Sequence, residues 1–498
     1  MKINDNGKIR VNRYYVQSLC MLFFPGEKFS VKEEEIREGE PMLDYSVTRE
    51  GDIVSAKVTL AFGSKSETHI AELEIKNGVS EEKTAKLALG TAMYYAGEKL
   101  VGTAPAWGML VGIRPAKLAL EMLNDGRTAL SVRRQLRRDY LVNPKKATLC
   151  IDVAQNERAI LEGIREDTCS LYISIPFCPS RCAYCSFVSY STNRLLSMIP
   201  EYIDRLCRDI KRAAEQMKRA KKKLLTIYIG GGTPTVLTAA ELEKLLSCIS
   251  STFNTKRLAE FTLEAGRPDT VDEEKLRIAK AHGVTRISIN PQTLNNNILE
   301  SIGRKHTAED FYNAFEIARK VGIKTINCDL IAGLPGESYP SFAKSVDAVI
   351  ACAPENITVH TFCVKKSAQI KLDEPDIFKR SINDTVKSVD YSQLKMKNSG
   401  YKPYYMYRQK NAVGNLENVS FTLDGHAGIY NVLIMEENHT IFAVGAGAVA
   451  KLVRFDENGE KKLERIFEPK YPYEYMREDE SENEERYNDA IDRFFFGK

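Results

Sequence analysis

Between residues 170 and 362, short apolar runs alternate with longer stretches whose apolar positions recur at helical spacing. The runs 171–177, 226–229, 260–263, 286–289, 325–331 and 357–362 read as strands. The stretches 195–220, 239–250, 272–282, 308–321 and 341–352 between them read as helices. Six strands joined by helical crossovers demand a parallel sheet, because parallel neighbours need long connections and those connections are right-handed. The pattern predicts an α/β fold, an open (β/α)6 partial TIM-like barrel with six strands instead of the closed barrel's eight. Chemistry is expected at the C-terminal ends of its strands.

The flanks follow other patterns. Residues 53–61 and 69–75 favour strands and 82–101 and 116–124 favour helices, while 102–115, with three glycines and two prolines, reads as loop. A mixed α+β N-terminal accessory domain is expected over 1–165, the barrel over 166–385, and a C-terminal extension covering the substrate over 386–498. That extension holds the Tyr-rich YKPYYMYRQKN, the glycine-bearing FAVGAGAVA and an acidic tail at 477–486, expected to be a solvated helix face or a loose end.

Composition narrows the classes without choosing among them. A chain of 498 residues with 43% hydrophobic and 28% charged residues is a multidomain globular protein. Lys plus Arg minus Asp plus Glu is 71 − 67 = +4, too small a surplus to draw the protein to nucleic acid. The basic run 211–223 reads as the outer face of a helix. No apolar stretch approaches the roughly 20 residues of a membrane span and the N-terminus has no apolar signal region, so a cytoplasmic protein without a span is expected. Eleven cysteines, an odd number, argue for a metal or redox site over a disulfide framework.

Directly after the first barrel strand stand Cys178, Cys182 and Cys185, spaced C-x3-C-x2-C. Three thiolates on a four-iron cube leave one iron without a protein ligand. A structural zinc site is closed by four ligands, and no fourth Cys or His follows in this loop. Buried, unreactive thiols describe Cys207, Cys248 and Cys352 better. The second strand runs into Gly230, Gly231, Gly232, Thr233, Pro234 and Thr235, where a ligand's ammonium and carboxylate can meet exposed backbone N–H and C=O groups. Glu264, Asn290, Gln292 and Asp329 stand at the ends of the next three strands. Polar side chains converging on one rim suggest a ligand pocket.

The cysteine motif, GGGTPT and DLIAGLPGE resemble the radical S-adenosylmethionine (SAM) superfamily, and YISIPFCPSRCAYCSF resembles its coproporphyrinogen dehydrogenase branch. The segments GIRPAK and YYMYRQKNAVGNLEN are similar to the longer, HemZ-type members. The resemblance implies a [4Fe–4S] cluster on Cys178, Cys182 and Cys185 and a SAM molecule cleaved by one electron from a low-potential donor such as ferredoxin or flavodoxin. The resulting 5′-deoxyadenosyl radical would take a hydrogen from a propionate of coproporphyrinogen III. Loss of CO2 would then leave a vinyl group, and two such events give protoporphyrinogen IX in haem biosynthesis.

By the same resemblance Tyr172, Gly231, Glu264 and Val449 meet the first SAM. Tyr184, Gly232, Thr233, Gln292, Arg304, Asp329 and Cys363 fall on a possible second SAM site, and Tyr172, Glu264 and Asp329 carry the catalytic roles. Arg408 and Lys410, beside Tyr404, Tyr405 and Tyr407, are the candidates for the substrate's carboxylates. Two positions depart from the short enzymes of the branch: Ser174 stands for a histidine and Phe187 for a fourth cysteine. The C-S-F ending is similar to related haem chaperones, which bind and transfer haem. That activity, a radical SAM methyltransferase and a haem-opening enzyme are the alternatives.

Overall fold

The computed structural model describes residues 1–29, 39–185, 190–363 and 375–497, with the backbone alone for 375–381. Two compact units emerge: Met1–Gln155 with Met406–Glu417, and Asn156–Tyr405 with Asn418–Lys498. The expected third domain is not a unit of its own.

In the first unit β1 (Lys2–Asp5), β2 (Met42–Glu50), β3 (Ile53–Phe62) and β4 (Lys65–Glu74) form a sheet in that order. Strict alternation puts Leu43, Tyr45 and Val47 of β2 and Val54, Ala56, Val58 and Leu60 of β3 on one buried face. The helix Glu81–Val101 lies against β3 and β4. Its first turn is capped by Ser80, whose side chain accepts the Lys83 N–H, and it stops at Gly102 in a left-handed conformation.

In the second unit the strands β5 (Thr168–Ile175), β6 (Lys223–Gly231), β7 (Glu260–Glu264), β8 (Arg286–Ser288), β9 (Thr325–Ala332) and β10 (Asn356–Thr361) pair in parallel, in sequence order. The six strands fall where the apolar runs predict them, and the sheet does not close. An open sheet leaves unpaired N–H and C=O rows at both edges, which must be covered. The C-terminal residues do this. The strand β12 (Glu417–Thr422), beside β11 (Lys402–Arg408), pairs antiparallel with β10. On the other side β13 (Thr440–Val444) pairs in parallel with β5 and leads to β14 (Val449–Phe455) and β15 (Lys461–Phe467). One sheet of eleven strands results.

The acidic tail is neither loose nor merely solvated. It starts the helix Glu480–Phe496, which lies on the basic helix Ile199–Arg219. Arg208 Nε meets Glu480 at 3.0 Å and Arg219 Nε meets Asp492 at 2.8 Å. Below these exposed pairs, the buried Asp209 accepts from Arg205 at 3.2 Å and from the Tyr475 hydroxyl, and forms an ion pair with Arg212. Removing this carboxylate strands two guanidinium groups away from water. Asp209→Ala is expected to cost about 3–5 kcal/mol of unfolding free energy and to expose 470–480 to limited proteolysis, read by denaturant melts and by mapping the cleavage sites.

Candidate cofactor site at the strand ends

The chain leaves β5 through Pro176 and Phe177. Phe177 is fully buried, edge-on to Tyr202 at 5.1 Å, and thereby anchors the loop that carries Cys178. Backbone bonds hold that loop at both sides: Cys178 N–H donates to Tyr190 O at 3.0 Å, and Tyr190 N–H returns to Pro176 O at 2.9 Å. Further on, Ala183 N–H reaches Ile302 O at 3.0 Å. Cys178, Cys182 and Cys185 are half-buried thiols. Arg267, itself buried and paired with Asp269, comes within 3.8 Å of Cys182 Sγ and 3.1 Å of Ser180 Oγ. The Arg267 guanidinium places positive charge beside a cysteine of the motif. Among the described residues no three His, Cys, Asp or Glu side chains converge on a metal position. The fit to an iron–sulfur cluster is therefore one of donor type, spacing, exposure and nearby positive charge.

The glycine turn makes close contacts within the protein. Gly232 N–H donates to Ile175 O and Thr233 N–H to Phe177 O, both at 2.8 Å, while Gly231 N–H is bonded to Glu264. These three N–H groups are bonded within the protein. A Cβ on Gly232 would stand 2.5 Å from Phe177 O, and one on Gly230 would stand 3.0 Å from Glu264 Oε2. The absence of side chains lets β6 close on the β5 loop and on β7. Thr233 Oγ1 thereby lies 3.4 Å from Cys178 Sγ.

Beside the turn, Tyr172, Tyr228 and Tyr430 form a stacked cluster with ring centroids 4.5 to 6.3 Å apart. The Tyr228 hydroxyl donates to Glu264, and the buried Tyr430 hydroxyl has no partner. Burial pushes the Glu264 carboxyl up to about 7, against the Tyr228 and Gly231 bonds and with the Asp329 charge. Asp329 behaves oppositely. Burial works to raise it, but His360, Asn327 and Thr358 hold it below its ordinary value.

Gln292 sits in the left-handed region at φ 67°, clamped by its N–H to Asp329 O and by Ile331 N–H to its own carbonyl, both 2.9 Å. Its Oε1 is buried without a partner. Arg304 donates to the Tyr184 hydroxyl at 3.2 Å and to Asn290 O at 2.7 Å. The structure thus brings together Tyr172, Gly231 and Glu264, and separately Tyr184 with Arg304 and Gln292 with Asp329. Cys363 follows β10, and Val449 opens β14, two strands from β5.

Ser174 ties the rim to the FAVGAGAVA segment, its Oγ donating to Ala446 O at 2.8 Å, while Tyr202 OH bridges Ser174 O and Ala446 N–H at 2.9 Å each. Phe187 lies outside the described residues. Arg408 and Lys410 belong to the first unit. Tyr404 and Tyr405 are buried, so their faces are not open for a flat ligand. Sequence reasoning missed Tyr228, Tyr430 and Arg267. Arg267 stands three residues past Glu264 and was within reach of the strand-end rule; Tyr430, on the helix Ile429–Glu436, carries no local signal.

A family model described as the radical SAM superfamily matches residues 172–349. The chain is 37% identical over 388 residues to the oxygen-independent coproporphyrinogen-III oxidase-like protein HemZ of Bacillus subtilis, covering 77% of each chain. The chain belongs to the radical SAM superfamily, among HemZ-like proteins. Its cofactors are those of that superfamily, a [4Fe–4S] cluster and SAM. The heme chaperone HemW of the same organism is 36% identical over 197 residues, 39% of this chain and 51% of that one. Among solved structures, the coproporphyrinogen III oxidase HemN of Escherichia coli is 22% identical with a TM-score of 0.48, covering 59% of this chain and 67% of that one.

In this HemZ-like protein the folded state binds the Glu264 proton more tightly than the unfolded chain, whose carboxyl titrates near 4.5. The stability from that proton is complete below pH 4.5 and is lost as pH rises through about 7. Melts of cofactor-free wild type and Glu264→Gln from pH 4 to 8 are expected to diverge. The wild type should lose up to roughly 3 kcal/mol that the Gln variant keeps; parallel curves would show that Glu264 does not titrate there.

Proposed function

We propose that this HemZ-like protein is an oxygen-independent decarboxylase of coproporphyrinogen III, converting propionate side chains to the vinyl groups of protoporphyrinogen IX in haem biosynthesis, each substrate radical losing CO2 and passing one electron to a one-electron acceptor. The observation that carries this reading is the extent of its kinship. The match to the oxidase-like HemZ spans 77% of both chains, whereas that to the B. subtilis chaperone HemW spans 39% of this one.

When bound, the cofactors supply a one-electron cleavage that ends in removal of a hydrogen atom from the substrate. In this reading Cys178, Cys182 and Cys185 hold the cluster, with Arg267 offsetting its negative charge. Tyr172, Gly231, Glu264 and Val449 face the first SAM. Glu264, free to give up its proton near neutrality, accepts from a ligand's ammonium or hydroxyl groups. Tyr172, Tyr228 and Tyr430 wall the rim with carbon and keep water from a reactive intermediate. Tyr184, Gly232, Thr233, Gln292, Arg304, Asp329 and Cys363 belong to the second SAM position, where the unpartnered Gln292 Oε1 is a ready acceptor. Electrons come from a low-potential ferredoxin or flavodoxin in the cytoplasm.

Anaerobic incubation of the reconstituted protein with SAM, a strong reductant and coproporphyrinogen III is expected to give two CO2 per vinylated product, together with 5′-deoxyadenosine, by mass spectrometry. Stoichiometric haem binding without CO2 would replace this reading with the HemW-like one. In the same assay Cys178→Ala, Cys182→Ala and Cys185→Ala are each expected to lose the cluster absorbance and all product, while Cys207→Ala keeps both.

A further inference from the structure

Two segments marked out by the sequence, GIRPAK at 112–117 and YYMYRQKNAVGNLEN at 404–418, have no part in the chemistry above. In the first unit they line one small cleft of about 40 Å³, with Gly112 and Ile113 facing Arg408, Lys410, Asn411 and Asn415. The Arg408 N–H donates to Ile113 O at 2.7 Å, so the two walls are joined by backbone.

Arg408 is 7% exposed, and its guanidinium donates only to the carbonyls of Leu110 and Asn415 while lying 5.8 Å over the Trp107 ring. Carbonyl dipoles do not neutralise a cation. The Glu417 charge reaches Arg408, but that carboxylate already holds Lys146 Nζ and Trp107 Nε1, each at 2.7 Å. Glu417 therefore bonds Lys146 and Trp107 directly and reaches Arg408 through its charge alone. Burial accordingly pushes Arg408 down to about 10, charged at neutral pH yet under-compensated.

A second cation, Lys410, stands exposed at the same cleft, 4.2 Å over the Tyr14 ring. Asn411 and Asn415 are both held in the left-handed region, at φ 63° and 52°, and Asn411 Oδ1 is buried without a partner. Strained backbone and an unmet polar atom in one cleft are the marks of a ligand site.

We propose that this cleft binds a small oxyanion, a carboxylate or a phosphate, between Arg408 and Lys410, with Asn411 accepting a hydroxyl of the ligand. The site does not depend on the decarboxylase reading. Its test is calorimetric titration of the full-length protein with inorganic phosphate and, separately, with acetate, ionic strength being held constant with chloride. Saturable binding of one ion per chain is expected for at least one of the two, with a melting temperature raised by roughly 2–5 °C at saturation. Lys410→Met should weaken that binding at least tenfold. Gly112→Val, whose side chain would enter open space in the cleft, should abolish it. Both variants should keep the wild-type circular dichroism. Binding of neither ion, binding unchanged in both variants, or an equal effect of chloride would overturn the proposal.

Discussion

Everything at the rim depends on the backbone lock between the end of β5 and the glycine turn of β6. Parallel pairing continues past the last residues of the strands, with Ile175 O and Phe177 O taking the N–H groups of Gly232 and Thr233. That approach is possible only where residue 232 has no Cβ. The lock sets where the chain turns away from β5 and so where Cys178 stands. Through Gly231 N–H it also seats Glu264 at the end of β7. On the far side of β5, Tyr202 and Ser174 fasten the same strand end to Ala446. Three barrel strands and the C-terminal extension therefore meet at one point, β5 and β6 through main-chain bonds, β7 and the extension through the side chains of Glu264, Ser174 and Tyr202.

Charge is distributed around this point to suit a cofactor pair of mixed sign. Arg267 and Arg304 lie on the side of Cys182, where thiolates and a cluster are negative. The carboxyls at the rim are Glu264, the last residue of β7, and Asp329 of β9. Two carboxyls a short way apart are held at different protonation by their surroundings, Glu264 by burial and Asp329 by the bonds around it.

The barrel was legible because its signal is local. Each of six strands is a short apolar run, each crossover has helical spacing, and even the three-residue β8 (Arg286–Ser288) stands out between helices. The cysteine spacing and the polar residues after strands were legible for the same reason. What was not legible depends on partners distant in sequence. The strands β11 to β15 exist as edge covers for a sheet formed hundreds of residues earlier, so their segments looked like a separate domain. The basic run 211–223 and the acidic tail each read as solvated, because neither shows locally that Arg212 meets Glu480 O. The glycines announced a close approach but not that Phe177 O makes it at Gly232. Arg408 announced a cation for an anion, yet its unit and its carbonyl neighbours were unreadable.

The claim that the backbone lock builds the cofactor seat is tested most directly by the iron and acid-labile sulfide content of anaerobically reconstituted Gly232→Ala, in which all three cysteines remain. The account predicts a folded protein with wild-type circular dichroism that retains only a small fraction of its cluster, because one methyl group pushes Thr233 and the Cys178 loop apart. Four irons per chain with wild-type absorbance in that variant would contradict it.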